Sequence, residues 1–282
     1  MPSVDEDELR RVAFGRLTSP ADADDVALLR PGPNWFAGVV LGARGRYAAA
    51  ASVFGGLARG KDPVIAAAAL TALASHRRQL GGHAVARGLD GRAFSLLTAG
   101  SGAEDPDGVD AAGIRADALL GLAADNLALG GQRAARRLIA AVTDTRWRAA
   151  VRTGWVSAEV ELAAGRAAEA VAPARRAHEI ATARGADRHR VKSALVLSAA
   201  LVATGESPAR GRAAELVESA LGDVEKFGLS SLAWPACLLA ADLVPANAER
   251  YRSRALEVLH AVLLRSDPEG RRIAARSPWM PR

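Results

Sequence analysis

One segment, residues 154–185, reads GWVSAEVELAAGRAAEAVAPARRAHEIATARG. An apolar run fills its first half, Gly165 and Arg166 interrupt that run, and a second alanine-rich run follows. Alanine has the highest helix propensity, and glycine readily adopts the backbone conformations that end a helix. The segment therefore predicts two helices that fold back on each other around Gly165, the second interrupted or bent at Pro173.

Similar helix–glycine–helix units are predicted on both sides of this hairpin. The six units span residues 34–63, 63–97, 110–142, 146–184, 188–227 and 229–265. Half of all residues are hydrophobic but only 4% are aromatic, and alanine supplies much of the apolar content. Because small side chains let helix axes approach closely, this composition favours packed helices over sheets. The predicted fold class is all-α.

The chain is basic, with a formal net charge of +6 carried almost wholly by arginine. Its only lysines are Lys61, Lys192 and Lys226. A nucleic-acid surface typically gathers its arginines on one stripe with aromatic residues between them. Here the arginines are spread along the chain among acidic residues, which favours solvated helix faces and leaves nucleic-acid binding as an alternative.

The cysteine content and the lengths of the apolar runs indicate where in the cell the protein is expected. Cys237 is the only cysteine, so no disulfide or cysteine-based metal site can form within one chain. The first residues are acidic and contain no apolar segment, and no run approaches the roughly eighteen apolar residues of a membrane span. We expect a soluble cytoplasmic protein without a membrane partner.

The first unit resembles a tetratricopeptide repeat, a helix–turn–helix unit of about 34 residues. Small residues, Gly38 and Ala50, stand where that pattern places close helix contacts, and large residues, Leu41 and Phe54, stand where it fills the groove between hairpins. Pro63 closes the unit one residue late. The other units match less closely, so the resemblance is to a degenerate array.

This resemblance to a tetratricopeptide-repeat-like (TPR-like) protein implies a right-handed superhelical stack of antiparallel helical hairpins, a TPR-like α-solenoid. Residues 1–33 would form N-terminal capping helices, one ending near Leu17 and one from Ser19 to Leu29. Residues 34–265 would form the array, with an exposed loop near 99–110. Residues 266–282 would form a C-terminal tail, in which Trp279 is expected to pack onto the final helix.

The first helices of such arrays line a concave groove. The resemblance places these residues there: Trp35, Val39, Asp117, Leu120, Arg152, Trp155, Glu159, Lys192 and Leu195. A groove with tryptophan, leucine and isolated charges suits an amphipathic helix or an extended peptide. We expect Arg152, Trp155 and Glu159 to be exposed together; for Trp35 and Trp155, burial between repeats is the alternative.

Other sites are weaker. Residues 55–61, GGLARGK, have the glycine and lysine spacing of a phosphate-binding loop, but Asp62 replaces the required Ser or Thr, and the segment is expected to end a helix. The histidines, interpreted as surface or helix-end residues, have no second ligand at metal spacing. Neither a catalytic site, a metal nor a cofactor is therefore expected.

These observations predict a non-enzymatic protein–protein interaction module, a scaffold or regulatory adaptor that binds a partner's peptide or helix. It is similar to the helical-repeat portions of bacterial regulators, but without a DNA-binding helix-turn-helix signature. Homodimerisation is left open. The alternative is an arginine-rich array that binds nucleic acid through phosphates. A third reading, an all-α enzyme, would require a deep polar pocket with converging titratable side chains.

Overall fold

A computed structural model describes residues 6–15, 34–97 and 104–281. All regular structure in these ranges is helical, which confirms the predicted all-α class. There is one short 3-10 helix, Pro245–Asn247, and the α-helices are α1 (Glu6–Phe14), α2 (Trp35–Ala43), α3 (Tyr47–Leu57), α4 (Pro63–Gln79), α5 (His83–Leu96), α6 (Ala111–Ala128), α7 (Gln132–Ala140), α8 (Trp147–Ala163), α9 (Ala167–Arg184), α10 (Asp187–Ala203), α11 (Ser207–Lys226), α12 (Ser230–Leu243), α13 (Ala248–Leu264) and α14 (Pro268–Arg276).

Neighbouring helices pack against each other in sequence order. Helices α2 to α13 form six successive pairs, which match the six predicted hairpins. The pair α8–α9 is the segment with which the sequence analysis began, and its second helix has the predicted bounds. Helix α9 is continuous through Pro173, so the predicted interruption there is wrong.

Five of the six hairpins turn at a glycine with a positive φ, a conformation that L side chains rarely adopt. These glycines are Gly45, Gly81, Gly130, Gly165 and Gly205. After Gly165, the N–H of Arg166 donates to the Glu161 carbonyl at 2.9 Å, which satisfies one of the free carbonyls at the end of α8. The turns that defined the repeat in the sequence are therefore equivalent in backbone conformation.

Small residues allow the two helices of a hairpin to touch. A Cβ atom placed on Gly154 would lie 2.6 Å from the Pro173 carbonyl oxygen and 2.9 Å from Ala177 Cβ. A Cβ atom on Gly38 would lie 2.5 Å from the Phe54 ring. Any larger side chain at Gly154 would therefore force α8 and α9 apart, because the clash is partly with backbone.

The last hairpin contacts the first two. The N–H of Ala48 in α3 donates to the Arg265 carbonyl at 2.8 Å. Arg77 of α4 makes two hydrogen bonds, of 2.6 and 2.7 Å, to the carboxylate of Asp267, and Tyr47 packs in one apolar cluster with Val262. Both ends of the described chain thus contribute to the same packed unit.

The ends also differ from expectation. Helix α1 covers the described part of the first predicted cap, and the predicted helix from Ser19 to Leu29 lies outside the described residues. Trp279, expected to pack onto the final helix, lies beside Gly81 at the α4–α5 turn and is 64% exposed. Within the ranges given above, no helix is long and apolar enough to cross a membrane.

Candidate ligand-binding cavity

The first helices of the hairpins enclose a cavity of about 520 Å³, the central cavity. Helices α4, α6, α8 and α10 provide most of its walls, and His83, Leu232 and Trp279 complete the lining. A smaller space of about 50 Å³, the inner pocket, shares Arg152 and His189 with it and extends towards α1 and α2. Consecutive repeats therefore converge on one interior site.

Four cationic side chains line the central cavity: Arg78, Arg152, Arg188 and Lys192. Glu159 is the single acid among the described lining residues. The rest of the lining is mainly apolar, with Leu120, Ala124, Leu127 and Val156 on one side. The net charge of the cavity therefore depends on which of these cations form ion pairs with carboxylates outside the lining.

Arg78 is well paired. Its Nε and one terminal nitrogen donate to Asp125 at 2.8 and 3.0 Å, and the same terminal nitrogen donates to Asp90 at 2.5 Å. His83 Nδ1 lies 3.1 Å from Asp125, so this carboxylate serves two neighbours. Burial raises the pKa of Asp90 to about 7 although Arg78 opposes the rise.

Arg152 is only partly paired. Its Nε lies 3.1 Å from Asp117 Oδ1, but neither atom makes a hydrogen bond in that orientation. The other oxygen of Asp117 accepts a hydrogen bond from Arg148, so one carboxylate faces two guanidinium groups. Burial lowers the pKa of Arg152, and the nearby Arg148 charge adds to that effect.

Arg188 and Lys192 have no ion-pair partner among the residues that the structure describes. The buried Nε of Arg188 makes no hydrogen bond there. Lys192 Nζ lies 4.5 Å from the centre of the Trp155 ring, which provides a cation–π contact. Burial lowers the pKa of Lys192 to about 8, opposed by Glu159 and reinforced by Arg152 and Arg188. The cavity thus has a surplus of positive charge.

Aromatic rings form the wall between the two cavities. The His189 ring stacks on Trp155 at 5.6 Å between centres and meets the edge of Trp147 at 5.0 Å. Trp155 Nε1 donates to Ser193 Oγ at 2.7 Å, which fixes the indole. Phe14 of α1 packs against Trp147 and closes the inner end.

Two histidines fit one of the two predicted alternatives. His76 and His189 lie in the end turns of α4 and α10, as helix-end residues, but they are buried and not at the surface. Burial lowers the pKa of His76 to about 3 and that of His189 well below its usual value, with Arg188 adding to both shifts. Both rings are therefore neutral near pH 7, and they add no positive charge to the cavity.

Most of the groove residues predicted from sequence line these two spaces. The central cavity contains Leu120, Arg152, Trp155, Glu159 and Lys192, and the inner pocket contains Trp35, Val39, Asp117 and again Arg152. The remaining one, Leu195, lies in the hydrophobic core.

Their exposure differs from what was expected. Trp35 and Trp155 are only 7% and 6% exposed, because they form walls between helices. The expected exposed group of Arg152, Trp155 and Glu159 is therefore wrong for Trp155. Arg152, Trp155 and Glu159 line a cavity that is partly open to solvent.

Sequence reasoning missed Arg78, Arg188, His189 and Trp279 as lining residues. Arg188 precedes Lys192 by four residues on the same helix, so helical spacing alone places the two on one face. That signal was available. The contributions of Arg78 and Trp279 depend on contacts between distant parts of the chain, which spacing does not reveal.

The cavity gathers titratable groups without an evident catalytic pair. In the described ranges, no Ser or Thr hydroxyl donates a hydrogen bond to a histidine or a carboxylate. No group of three or more His, Cys, Asp or Glu side chains there is placed to hold a metal ion.

The segment with phosphate-loop spacing lies elsewhere. It covers the end of α3 and the following turn, and Asp62 caps α4 by accepting from the N–H groups of Val64 and Ile65 at 2.8 and 3.2 Å. A helix end followed by a capped helix accounts for these residues. Comparison with protein-family models and with curated proteins finds no match to this chain.

Proposed function

We propose that the chain is a non-enzymatic protein-interaction module that acts in the cytoplasm, a scaffold or adaptor built as a TPR-like, right-handed superhelix. One observation carries the proposal: the first helices of four successive hairpins, α4, α6, α8 and α10, line one cavity. In an array of this kind these helices form the concave side, and that side receives a segment of the partner.

The opening of the central cavity, its mouth, has an exposed aromatic residue to which a partner segment can bind. Trp279 lines it while remaining 64% exposed, and Leu127 and Ala128 add apolar surface beside it. Exposed aromatic residues often carry much of the binding energy at protein interfaces. In the proposed mode, a peptide or helix of the partner lies across the mouth and directs one side chain inward.

The ion pairs support a protein partner over nucleic acid. Arg77, Arg78, Arg146 and Arg148 each bind carboxylates of the chain itself, so they are not available to phosphates. Nucleic-acid binding remains the alternative function. It predicts affinity that falls steeply as salt is raised, and no binding even at low salt would eliminate it.

Selection from a random 12-residue peptide display library, with the full chain as bait, tests the proposal. Selected peptides should bind the wild type, and Trp279→Ala should weaken that binding about tenfold, or about 1.4 kcal/mol. The matched control is Leu264→Ala, which removes an equally exposed apolar side chain from α13. If Trp279→Ala, Leu264→Ala and the wild type bind the peptides with equal affinity, binding at the mouth through Trp279 is contradicted.

Trp155→Ala is unsuitable for this purpose. It removes a buried ring and the partner of Ser193, and such truncations cost about 3–5 kcal/mol of folding free energy. Loss of binding in that variant would not separate unfolding from loss of the site.

A further inference from the structure

We propose that the central cavity binds a compact oxyanion, a phosphate or dicarboxylate group, between Arg152, Arg188 and Lys192. The inference goes beyond the proposed protein interaction, because it stands on the charges of the cavity alone. It therefore holds or fails whether or not a partner segment enters the mouth.

The first argument is the imbalance of charge. Among the described lining residues, four cations face one carboxylate, that of Glu159. The carboxylates behind the wall offset part of this charge, since Asp90 and Asp125 bind Arg78 and Asp117 lies between Arg148 and Arg152. None of them forms an ion pair with Arg188, so the uncompensated charge lies there. An enclosed surplus of cations is unfavourable unless an anion compensates it.

The second argument is geometry. Arg188 and Lys192 lie one turn apart on one face of α10, and both side chains reach the cavity that Arg152 enters from α8. Three donor groups from two helices thus surround one space. The buried Nε of Arg188 makes no hydrogen bond to any described residue, which leaves a charged donor unsatisfied beside the cavity.

The third argument is that these cations influence one another. The charges of Arg152 and Arg188 help to lower the pKa of Lys192, and Arg188 is itself affected by Arg152. Each of these positive charges therefore makes the charged form of its neighbours less favourable. An oxyanion placed among them would accept several charge-assisted hydrogen bonds and remove that repulsion.

The lining also limits the ligand's size and shape. A guanidinium group pairs with carboxylate or phosphate through two parallel hydrogen bonds, which suits a group with at least two oxygen atoms. The volume of about 520 Å³ holds a small organic molecule, and Trp155 with Val156 offers apolar contact for its carbon skeleton. A free metabolite-sized anion and an acidic side chain of a bound segment share this chemistry.

The decisive experiment is thermal denaturation of the full chain with sodium phosphate or sodium citrate, compared with sodium chloride at equal ionic strength. Phosphate or citrate should raise the Tm of the wild type by several degrees at saturation, with no such rise in chloride. Arg188→Gln should abolish the rise, and Lys192→Met should reduce it. The matched control, Arg212→Gln on the exposed face of α11, should respond like the wild type.

The behaviour without anion separates a lost site from a damaged fold. If the positive charge of Arg188 is uncompensated, Arg188→Gln should melt at or above the wild-type Tm in chloride. No anion-specific rise in the wild type, or the same rise in Arg188→Gln, would overturn the inference. If Arg188→Gln fails to fold, an unchanged rise in Lys192→Met would overturn it as well.

A second arm identifies the source of the anion. Selected peptides are compared with versions in which Glu is replaced by Gln. Weaker binding of the Gln versions, seen in the wild type but not in Arg188→Gln, places the anion on the partner's segment; equal binding places it on a free small molecule. An anion response without any selected peptide would support this site and reject the protein-interaction proposal.

Discussion

Two regions of the molecule use arginine in opposite ways. Arg146, directly before α8, binds the carboxylates of Asp110 and Asp144 and the carbonyl of Asp105, and so contacts the loop that precedes α6. In the central cavity, Arg188 has no described ion-pair partner and one buried nitrogen without a hydrogen bond. The hydrogen-bond donors of Arg146 all have acceptors, whereas Arg188 has a buried donor without one.

The contrast separates structural arginines from ligand-binding ones. Arg148 belongs to the first kind, since its donors reach Asp117 and the carbonyls of Asp107 and Gly108. Such pairs hold the loop against α8, and the chain needs nothing else to complete them. A cation without a partner in an enclosed space has no comparable structural role, which is why the binding proposal rests on Arg188.

The largest effect is expected where the two regions meet, at Asp117. Asp117→Ala removes the acceptor of Arg148 and the nearest carboxylate to Arg152, which leaves two cations uncompensated. The free energy of unfolding should fall by about 3–5 kcal/mol, measured by urea denaturation. A loss below about 1 kcal/mol would show that the two arginines find other partners, and the contrast would fail.

Acid should sharpen the same contrast, because burial and the nearby positive charge of Arg188 keep His76 neutral in the folded chain. Burial holds the pKa of His76 at about 3, whereas an unfolded histidine titrates near 6.5. Below pH 6.5 the unfolded chain therefore binds a proton that the folded chain does not, and stability falls as the pH drops towards 3.

His76→Phe should remove this dependence. The wild type should lose about 3 kcal/mol more than the variant between pH 7 and pH 4, measured by denaturation at each pH. The replacement keeps a ring against Tyr47, which stacks on His76 at 4.6 Å. Parallel pH profiles for the two proteins would show that His76 titrates normally.

A smaller effect is expected in the saturated region. Arg146→Lys keeps the charge but loses the planar set of donors that binds two carboxylates and a carbonyl together. A loss of about 1–2 kcal/mol is expected by urea denaturation. Hydrogen exchange should also become faster at the N–H groups of Asp107 and Val109, which donate to Asp105 in this loop. Unchanged exchange would mean that the loop does not depend on Arg146.

The smallest effect is expected at an exposed pair. Arg212 and Glu215 lie 2.7 Å apart on α11 with most of both side chains in solvent. Glu215→Ala should change stability by less than about 0.5 kcal/mol, because solvent and salt screen such pairs. A loss comparable to that of Asp117→Ala would erase the distinction between enclosed and exposed charges.

The sequence predicted what depends on local patterns. Turn glycines such as Gly165 and small contact residues such as Gly38 act within one hairpin, so their spacing was sufficient to place the six helix pairs. The cavity walls contributed by Arg152 and Lys192 followed from assigning first helices to one side.

The features that could not be predicted depend on which residues of other helices lie opposite a given side chain. That Arg188 has no ion-pair partner within residues 6–15, 34–97 and 104–281 depends on every element around it, and spacing along α10 carries no such information. The burial of His76 and the position of Trp279 beside Gly81 likewise require contacts across most of the chain. Tertiary packing decides these features, and a single sequence gives no measure of it.

The bond between Arg77 and Asp267 joins positions 190 residues apart. A repeat protein whose units touch only their neighbours can fray from either end, one unit at a time. Here Asp267, directly before α14, binds Arg77 of the second hairpin. Unfolding of the C-terminal end therefore also removes a hydrogen-bond partner of α4. Closing so long a loop is entropically costly and should slow folding, and we expect the contact to make the second and last hairpins unfold together.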